Sequence, residues 1–192
     1  MRASRALRWV LAAGCLVAVP ARAGEAKVGE KAPFFFMSTY NPEASGARRV
    51  FLDRLVGPKT EQPKKLLLLS FFNIDCKPCR KELPFLQLLH RRYADKGLGV
   101  LVVNCDHRPE KIEEVEAYVK KQGFSFPVLK DRFQALQRRY GVESFPTMYF
   151  IDAGATITNV RVGYNEKKMP FPLAEVQRTL GVPQEPVRQE RN

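Results

Sequence analysis

The chain has 192 residues and a formal net charge of +12, from 32 lysines and arginines against 20 aspartates and glutamates. The basic residues occur as scattered pairs and not as a block interleaved with aromatic residues, which argues against a nucleic-acid-binding module and indicates a solvated basic surface. The chain has 4 cysteines. An exported protein that depends on structural disulfides normally has more, so a redox-active pair of cysteines is the better interpretation.

The N-terminal segment has the pattern of an export signal. Residues 2–8 contain three arginines and no acid, residues 9–19 are mostly apolar, and residues 21–23 form a small-x-small cleavage site. We expect residues 1–23 to be a signal peptide that is removed, because the apolar run is too short to span a bilayer comfortably. As an alternative, residues 11–15 resemble a lipobox, in which Cys15 would be lipidated and become the mature N-terminus. Both interpretations predict a protein of the periplasm or cell envelope.

A pair of cysteines lies between a predicted strand and a predicted helix. Leu66–Phe72 is an almost continuous apolar run typical of a buried strand, and apolar residues recur at helical spacing over Lys81–Tyr93. The intervening motif, Cys76-Lys77-Pro78-Cys79, has the spacing of a reversible dithiol. Unpaired N–H groups at a helix N-terminus favour a thiolate over a thiol. Cys76 is therefore the predicted nucleophile, and Cys79, deeper in the helix, the predicted resolving thiol.

Half of a zinc site or a structural disulfide is the alternative interpretation of this motif. A closed zinc site needs four ligands, and the sequence has neither a second CxxC nor a paired histidine, since His90 and His107 lie far apart. We therefore expect redox chemistry that needs no metal and no organic cofactor. Cys105 ends a second apolar run and is predicted to be a small buried apolar residue, with a third redox thiol left open.

The remaining elements alternate between strand and helix patterns within one predicted domain, residues 24–183, which a flexible polar tail, residues 184–192, follows. In chain order they are a strand at Gly99–Asn104, a helix at Pro109–Lys121, an extended segment at Phe126–Leu129, a helix at Asp131–Tyr140, strands at Thr147–Ile151 and Ile157–Val162, and a helix at Pro172–Leu180. This order predicts an α/β fold in which a mixed sheet has helices on both faces and ends in a C-terminal β-hairpin plus helix.

Several of these features, taken in order, resemble the thioredoxin fold: the strand, the CxxC, a helix containing Pro84, and the segment Gly141–Thr147 that opens the hairpin. More narrowly, Cys76–Pro84 is similar to the CxPCxxExP signature of the TlpA-like envelope thiol-disulfide oxidoreductases, a group that includes ResA and CcmG. The segment Val28–Phe34 is similar to their mature N-termini. The resemblance extends over residues 28–181 and implies a thioredoxin-like thiol-disulfide oxidoreductase.

This resemblance implies functions for further residues. Glu82 matches the active-site carboxylate of the family and would exchange protons with the second thiol, although a first-turn acid favoured by the helix dipole is the alternative. Pro146 matches the cis-proline beside the dithiol, with an ordinary trans-proline at a strand start as the alternative. Phe145, directly before it, would pair with an extended substrate strand and align the target disulfide with Cys76.

The same resemblance implies the partners of the protein. They are protein disulfide substrates, with cytochrome c maturation as one setting, and a membrane electron donor of the DsbD or CcdA type that would recharge a reductase in an oxidising compartment. The reduction potential of the dithiol decides whether the protein reduces or oxidises its substrates.

Two positions depart from the family pattern. Asp75 lies where family members usually have tryptophan, and its carboxylate would disfavour the Cys76 thiolate while Lys77 and other nearby basic residues would favour it. Ser70 lies where ordinary thioredoxins have a buried aspartate, which leaves Glu82 as the better candidate for a proton carrier.

Two other functions on the same fold stay open. One is a peroxiredoxin-like peroxidase, although Asn73 lies where such proteins have threonine three residues before the cysteine. The other is a copper-binding assembly module that uses the two cysteines and a distant histidine, here His107, although such modules space their cysteines one residue wider.

Overall fold

The computed structural model describes residues 26–165 and 170–186, and its centre is a five-stranded mixed sheet of order β5-β4-β3-β6-β7. Strands β3, β4 and β5 are parallel, whereas β6 and β7 run antiparallel to their neighbours. The strands are β1 Phe36–Ser38, β2 Arg49–Phe51, β3 Leu66–Phe72, β4 Leu98–Asn104, β5 Val128–Lys130, β6 Thr147–Asp152 and β7 Ile157–Val162. The α-helices are α1 Pro42–Ser45, α2 Lys77–Tyr93, α3 Pro109–Gln122, α4 Ala135–Tyr140 and α5 Pro170–Leu180. The predicted mixed sheet with a C-terminal hairpin and helix is confirmed.

The side chains of the central strands alternate between two apolar cores. On β3, Leu66 and Leu68 pack in the core that α2, α3 and α5 cover, whereas Leu67 and Leu69 pack in the core that α4 and the N-terminal segment cover. Successive side chains of a strand point to opposite faces of the sheet. Every residue of β3 and β4 is buried, which explains why these strands have continuous apolar runs in the sequence.

Helix α2 begins at the dithiol because Cys76 caps it. Cys76 has extended backbone geometry, and its Sγ accepts a hydrogen bond from the Cys79 N–H at 3.1 Å. Pro78 lies in the first turn, where a helix does not need its missing N–H. The helix therefore starts four residues before the apolar periodicity predicted, and it continues through Pro84 to Tyr93.

Helix α4 is shorter than predicted, since it starts at Ala135 and not at Asp131. Residues 131–134 form a turn in which the Gln134 N–H donates to the Asp131 carbonyl at 2.9 Å, and Gln134 has a φ of 53°. Asp131 still stabilises the helix, because its Oδ2 accepts the Gln137 N–H at 2.7 Å. Two other elements differ slightly from the prediction. Helix α5 begins two residues earlier than predicted, and strand β5 begins two residues later.

The N-terminal segment contributes a two-stranded sheet, β1–β2, that the sequence analysis missed. Asn41, which follows β1, is buried and holds the loop before β5: its amide donates to the carbonyls of Phe124 and Phe126, and its Oδ1 accepts the Val128 N–H. These bonds attach the N-terminal segment to the edge of the main sheet.

The predicted tail makes contacts with the domain at its first residues. The Glu185 carboxylate lies 2.6 Å from Arg92, and its carbonyl accepts a hydrogen bond from the Gln177 amide. The predicted signal peptide and lipobox lie outside the described residues. Among helices within 26–165 and 170–186, none is both long and apolar enough to cross a bilayer.

Candidate active site

Cys76 and Cys79 form a disulfide at the N-terminus of α2, with their Cα atoms 5.3 Å apart. Cys79 is completely buried, whereas Cys76 is partly exposed and the spacer residues Lys77 and Pro78 are exposed. A protein substrate can therefore reach the sulfur of Cys76 before that of Cys79. The order of attack, with Cys76 as nucleophile and Cys79 as resolving thiol, stays a prediction.

Glu82 lies one turn beyond Cys79 on α2 and is buried, with only 3% of its surface exposed. The Ser70 hydroxyl donates a hydrogen bond to Glu82 Oε2 at 2.6 Å. Burial raises the pKa of Glu82 from 4.5 to about 7, against the opposing effects of the Ser70 hydrogen bond and the positive charge of Arg161. Residues i and i+3 of a helix lie on the same face, so this carboxyl group is suited to exchange protons with Cys79 near neutral pH.

The supporting contacts of Glu82 were not evident from the sequence. Ser70 is polar in an apolar strand, which was a usable signal, and the structure pairs it with the carboxylate. Arg161 lies on β7 and is half-buried; burial lowers its pKa, while the charges of Glu82 and Glu175 raise it. Nothing in the local sequence links a residue of β7 to α2, because only the sheet brings them together.

The peptide bond between Phe145 and Pro146 is cis. The register pairs Thr147 with Phe71, so Pro146 lies beside the end of β3 that leads into the dithiol loop. The Pro146 carbonyl accepts the Gly163 N–H at 2.7 Å, whereas the backbone groups of Phe145 form no hydrogen bond within the described part of the chain. The N–H and C=O of Phe145 are therefore available to a partner near the end of β3 that leads into the dithiol loop.

Asp75 is paired with a residue that the sequence analysis did not consider. Lys111 Nζ on α3 lies 2.5 Å from Asp75 Oδ1 and 3.0 Å from Glu114 Oε2, and these hydrogen bonds raise the pKa of Lys111. The negative charge next to Cys76 is therefore compensated by a lysine from another helix. That Asp75 disfavours the Cys76 thiolate stays a prediction, and we expect the effect to be small because a carboxylate paired with an ammonium group acts more weakly on a neighbouring charge.

A second buried carboxylate holds the loop that carries the dithiol. Asp106 Oδ2 accepts hydrogen bonds from the Ile74 N–H at 2.8 Å and from the Asn104 amide at 2.7 Å. The loop before Cys76 is thus tied to the end of β4. Asp106 was not among the predicted site residues, although the sequence shows an aspartate shortly after a buried strand.

Cys105 lies on the other face of the sheet from the dithiol. Its N–H donates to the Phe72 carbonyl at 2.9 Å, which puts it at the same sheet edge as Cys76, but its side chain is buried in the core that contains Phe71, away from the core that contains Cys79. Burial, followed by the charges of Asp131 and Asp106, raises the pKa of its thiol well above the usual value. Cys105 fits the predicted buried apolar residue.

The histidine considered as a copper ligand is exposed, and His107 Nδ1 lies 3.1 Å from the Gln134 amide nitrogen. Within residues 26–165 and 170–186, the structure contains no group of three or more histidine, cysteine or acidic residues arranged to hold a metal ion.

The sheet, the position of the dithiol and the cis-proline loop define the class of protein: a thioredoxin-like thiol-disulfide oxidoreductase. The chain belongs to the AhpC/TSA family, whose model matches residues 28–160.

Named relatives agree with this class. The thioredoxin-like protein YneN of Bacillus subtilis is 32% identical over 140 residues, which are 73% of this chain and 74% of YneN. The thiol-disulfide oxidoreductase ResA of Bacillus anthracis is 28% identical over 142 residues, which are 74% of this chain and 73% of ResA.

Solved structures share the fold. A thiol:disulfide interchange protein of the thioredoxin family from Chlorobium tepidum matches with a TM-score of 0.59 and 22% identity, over 82% of this chain and 97% of that one. StoA from Bacillus subtilis matches with a TM-score of 0.55 and 20% identity, over 71% of this chain and 92% of that one.

Proposed function

We propose that the protein is exported and reduces disulfide bonds of other proteins in the cell envelope, with Cys76 as nucleophile and Cys79 as resolving thiol. The observation that carries the proposal is the unequal burial of the two sulfurs at the start of one helix. Cys79 is fully buried, whereas Cys76 is partly exposed and accepts a hydrogen bond from the Cys79 N–H. The N–H groups and dipole of a helix N-terminus stabilise negative charge on the accessible sulfur.

The reaction is two successive thiol-disulfide exchanges. The Cys76 thiolate attacks one sulfur of the substrate disulfide, a mixed disulfide forms, and the other substrate sulfur leaves as a thiolate. The Cys79 thiolate then attacks Cys76 Sγ and releases the second substrate thiolate. Two electrons pass to the substrate, which becomes a dithiol after taking up two protons, and the protein is left with the Cys76–Cys79 disulfide.

Glu82 is proposed to accept the proton of Cys79 before the second exchange. Its pKa of about 7 allows the carboxylate to accept a proton at neutral pH and to release it afterwards. The hydrogen bond from Ser70 on β3 holds the Glu82 carboxyl group in the core, on the same helix that begins at the two thiols.

Phe145 and Pro146 are proposed to align the substrate. The unused N–H and C=O of Phe145 suit an extended peptide, since main-chain hydrogen bonds to an added strand are a common mode of peptide recognition. A substrate strand on Phe145 would carry its disulfide toward Cys76. This is a general mode of binding, so it fits many protein disulfides.

The proposed setting is the periplasm or cell envelope. The proposal is supported by the predicted signal peptide at residues 1–23, which precedes the domain at 24–183 and the tail at 184–192, and by the resemblance of Cys76–Pro84 to the signature of the TlpA-like envelope oxidoreductases. Lipidation of Cys15 is the alternative mode of export. A membrane donor of the DsbD or CcdA type would supply electrons, and cytochrome c maturation is one proposed use of the reductase.

Trapping the mixed disulfide tests the chemistry. In a Cys79→Ser variant the second exchange cannot occur, so we expect a covalent adduct between Cys76 and a disulfide-containing protein such as insulin, visible on a non-reducing gel. The matched Cys76→Ser variant should form no adduct and should lose insulin reduction. Equal adduct formation by both variants, or wild-type reduction rates without Cys76, would show that the proposed order of attack is wrong.

Three further measurements test the direction of electron flow and the two alternative functions. A reduction potential near that of thioredoxin, about −270 mV, supports a reductase, whereas one near that of DsbA, about −120 mV, would make the protein an oxidant. Cysteine-dependent consumption of hydrogen peroxide would instead favour the peroxidase, and cysteine-dependent copper uptake would favour the assembly module.

Export has its own test. The mass of the protein recovered from an envelope fraction should correspond to cleavage after Ala23. A mass that matches a chain beginning at Cys15 with a lipid attached would show that the protein is a lipoprotein. Recovery of the uncleaved chain from the cytoplasm would overturn the proposed setting.

A further inference from the structure

Strand β4 is only partly covered on its outer edge. The register pairs all seven of its residues with β3, but only Val102–Asn104 with β5. Beside the uncovered residues Leu98–Leu101 lies a cavity of about 320 Å³, which we call the edge slot. It lies at the end of the sheet opposite the dithiol, because β3 enters the dithiol loop after Phe72.

Apolar side chains from several elements line the edge slot. They include Val50, Leu55, Leu67, Leu98, Val100 and Pro127. The cavity is of the size of small-molecule sites, which are mostly apolar with a few polar groups that set orientation.

The backbone of β4 adds unused hydrogen-bonding groups to this apolar floor. Val102 donates its N–H to the Pro127 carbonyl and Asn104 accepts the Asp131 N–H, so the even-numbered residues of β4 direct their backbone groups toward β5. The alternation along a strand then directs the N–H and C=O of Val100 into the slot. In the described chain neither group has a partner there, although Val100 is only 2% exposed. Buried backbone groups are nearly always paired. The Val100 N–H and C=O are therefore available to hydrogen-bond a polar ligand atom in the slot.

The charged residues that line the slot are all basic. They are Arg49, Arg54 and Lys64, and none of them forms an ion pair with another described residue. The His90 ring also lines the slot, and its Nδ1 is buried with no hydrogen-bond partner among the described residues. An apolar floor with a basic rim and no acid complements a molecule that has one apolar end and one anionic end.

We propose that the edge slot binds a small organic acid with an apolar chain of medium length. The carboxylate lies against the basic rim and accepts the Val100 N–H, and the apolar chain lies on the floor between α2 and β2. This site is independent of the dithiol, so its occupancy and the redox chemistry are tested separately.

The test is a titration of the ¹⁵N-labelled full chain with octanoate, followed by amide chemical shifts. We expect saturable shifts confined to residues 98–101 and their neighbours. The double variant Arg49→Gln/Lys64→Gln should weaken binding at least tenfold while insulin reduction stays unchanged. The matched control Arg132→Gln removes a basic residue that pairs with Glu116 outside the slot, and it should bind as the wild type does.

Three results would overturn the proposal. They are shifts that do not saturate or that spread over the surface, equal binding of octyltrimethylammonium, and octanoate affinity that the double variant leaves unchanged. The peptide acetyl-Val-Glu-Val-Glu-amide tests the alternative occupant, an extended peptide that would pair with β4 as an added strand. If this peptide shifts the Val100 amide and octanoate does not, the slot accepts an added strand and not a small acid.

Discussion

Replacing Glu82 with glutamine should make the protein more stable at alkaline pH. The folded state keeps the Glu82 proton up to a pKa of about 7, because the carboxyl group is buried, whereas the unfolded chain loses it near 4.5. Between these values the folded state binds more protons than the unfolded state, so the free energy of unfolding falls as the pH rises. The free energy of unfolding is therefore highest below pH 4.5, where the carboxyl group is neutral in both states, and the penalty for burying the charge is complete once the pH has risen through 7.

The size of the effect follows from the two pKa values. Their difference is about 2.5 units, and each unit corresponds to about 1.4 kcal/mol, so this one carboxyl group lowers the free energy of unfolding by about 3 kcal/mol between pH 4.5 and pH 8. Glutamine has nearly the same shape, accepts the Ser70 hydrogen bond and does not ionise. The Glu82→Gln variant should therefore match the wild type at pH 4.5 and exceed it by up to about 3 kcal/mol at pH 8.

Urea unfolding of the oxidised protein at several pH values measures this difference. Far-UV circular dichroism is the suitable signal, since the one tryptophan of the chain, Trp9, lies in the predicted signal peptide. Glu116→Gln is the matched control, because Glu116 is exposed and paired with Lys130 and Arg132, and it should keep the wild-type pH dependence. Parallel curves for the wild type and Glu82→Gln would refute the assignment of the pH dependence to this buried group.

Other substitutions test the remaining contacts. Ser70→Ala removes a donor to the carboxylate, so the pH midpoint of the Glu82-dependent stability loss should rise by about one unit; an unchanged midpoint would mean that the hydrogen bond does not favour the ionised form. Asp75→Asn should move the midpoint of Cys76 alkylation against pH downward by less than about half a unit, because an exposed, paired charge acts weakly, and an upward shift would contradict this. Cys105→Ala should leave insulin reduction within about twofold of the wild type while lowering stability by about 1 kcal/mol; a loss of turnover would give that thiol a redox function.

The sequence predicted the features that depend on neighbouring residues. The strand Leu66–Phe72, the dithiol and the helix after it are adjacent in the chain, so periodicity and spacing were enough to find them. Helix α4 was predicted too long because Asp131 resembles a helix cap, whereas its side chain supports the helix from a turn before it.

Contacts between distant elements could not be predicted in this way. Lys111 reaches Asp75 from α3, and Arg161 acts on Glu82 from β7. These residues lie close together only because the strand order of the sheet brings their elements together. The spacing of residues along the chain does not predict such contacts. The sheet of β1 and β2 was not predicted because three-residue strands are too short to display a period of two.

The opposite orientation of Cys105 and Cys79 has a consequence for the maturation of the protein. Cys76, Cys79 and Cys105 permit three pairings in an unfolded chain, and two of them use Cys105. Once β3 and β4 are paired, the sheet lies between the Cys105 side chain and the core against which Cys76 and Cys79 both pack. The native bridge is then the one that the architecture leaves available, and a scrambled bridge would have to arise before the sheet closes.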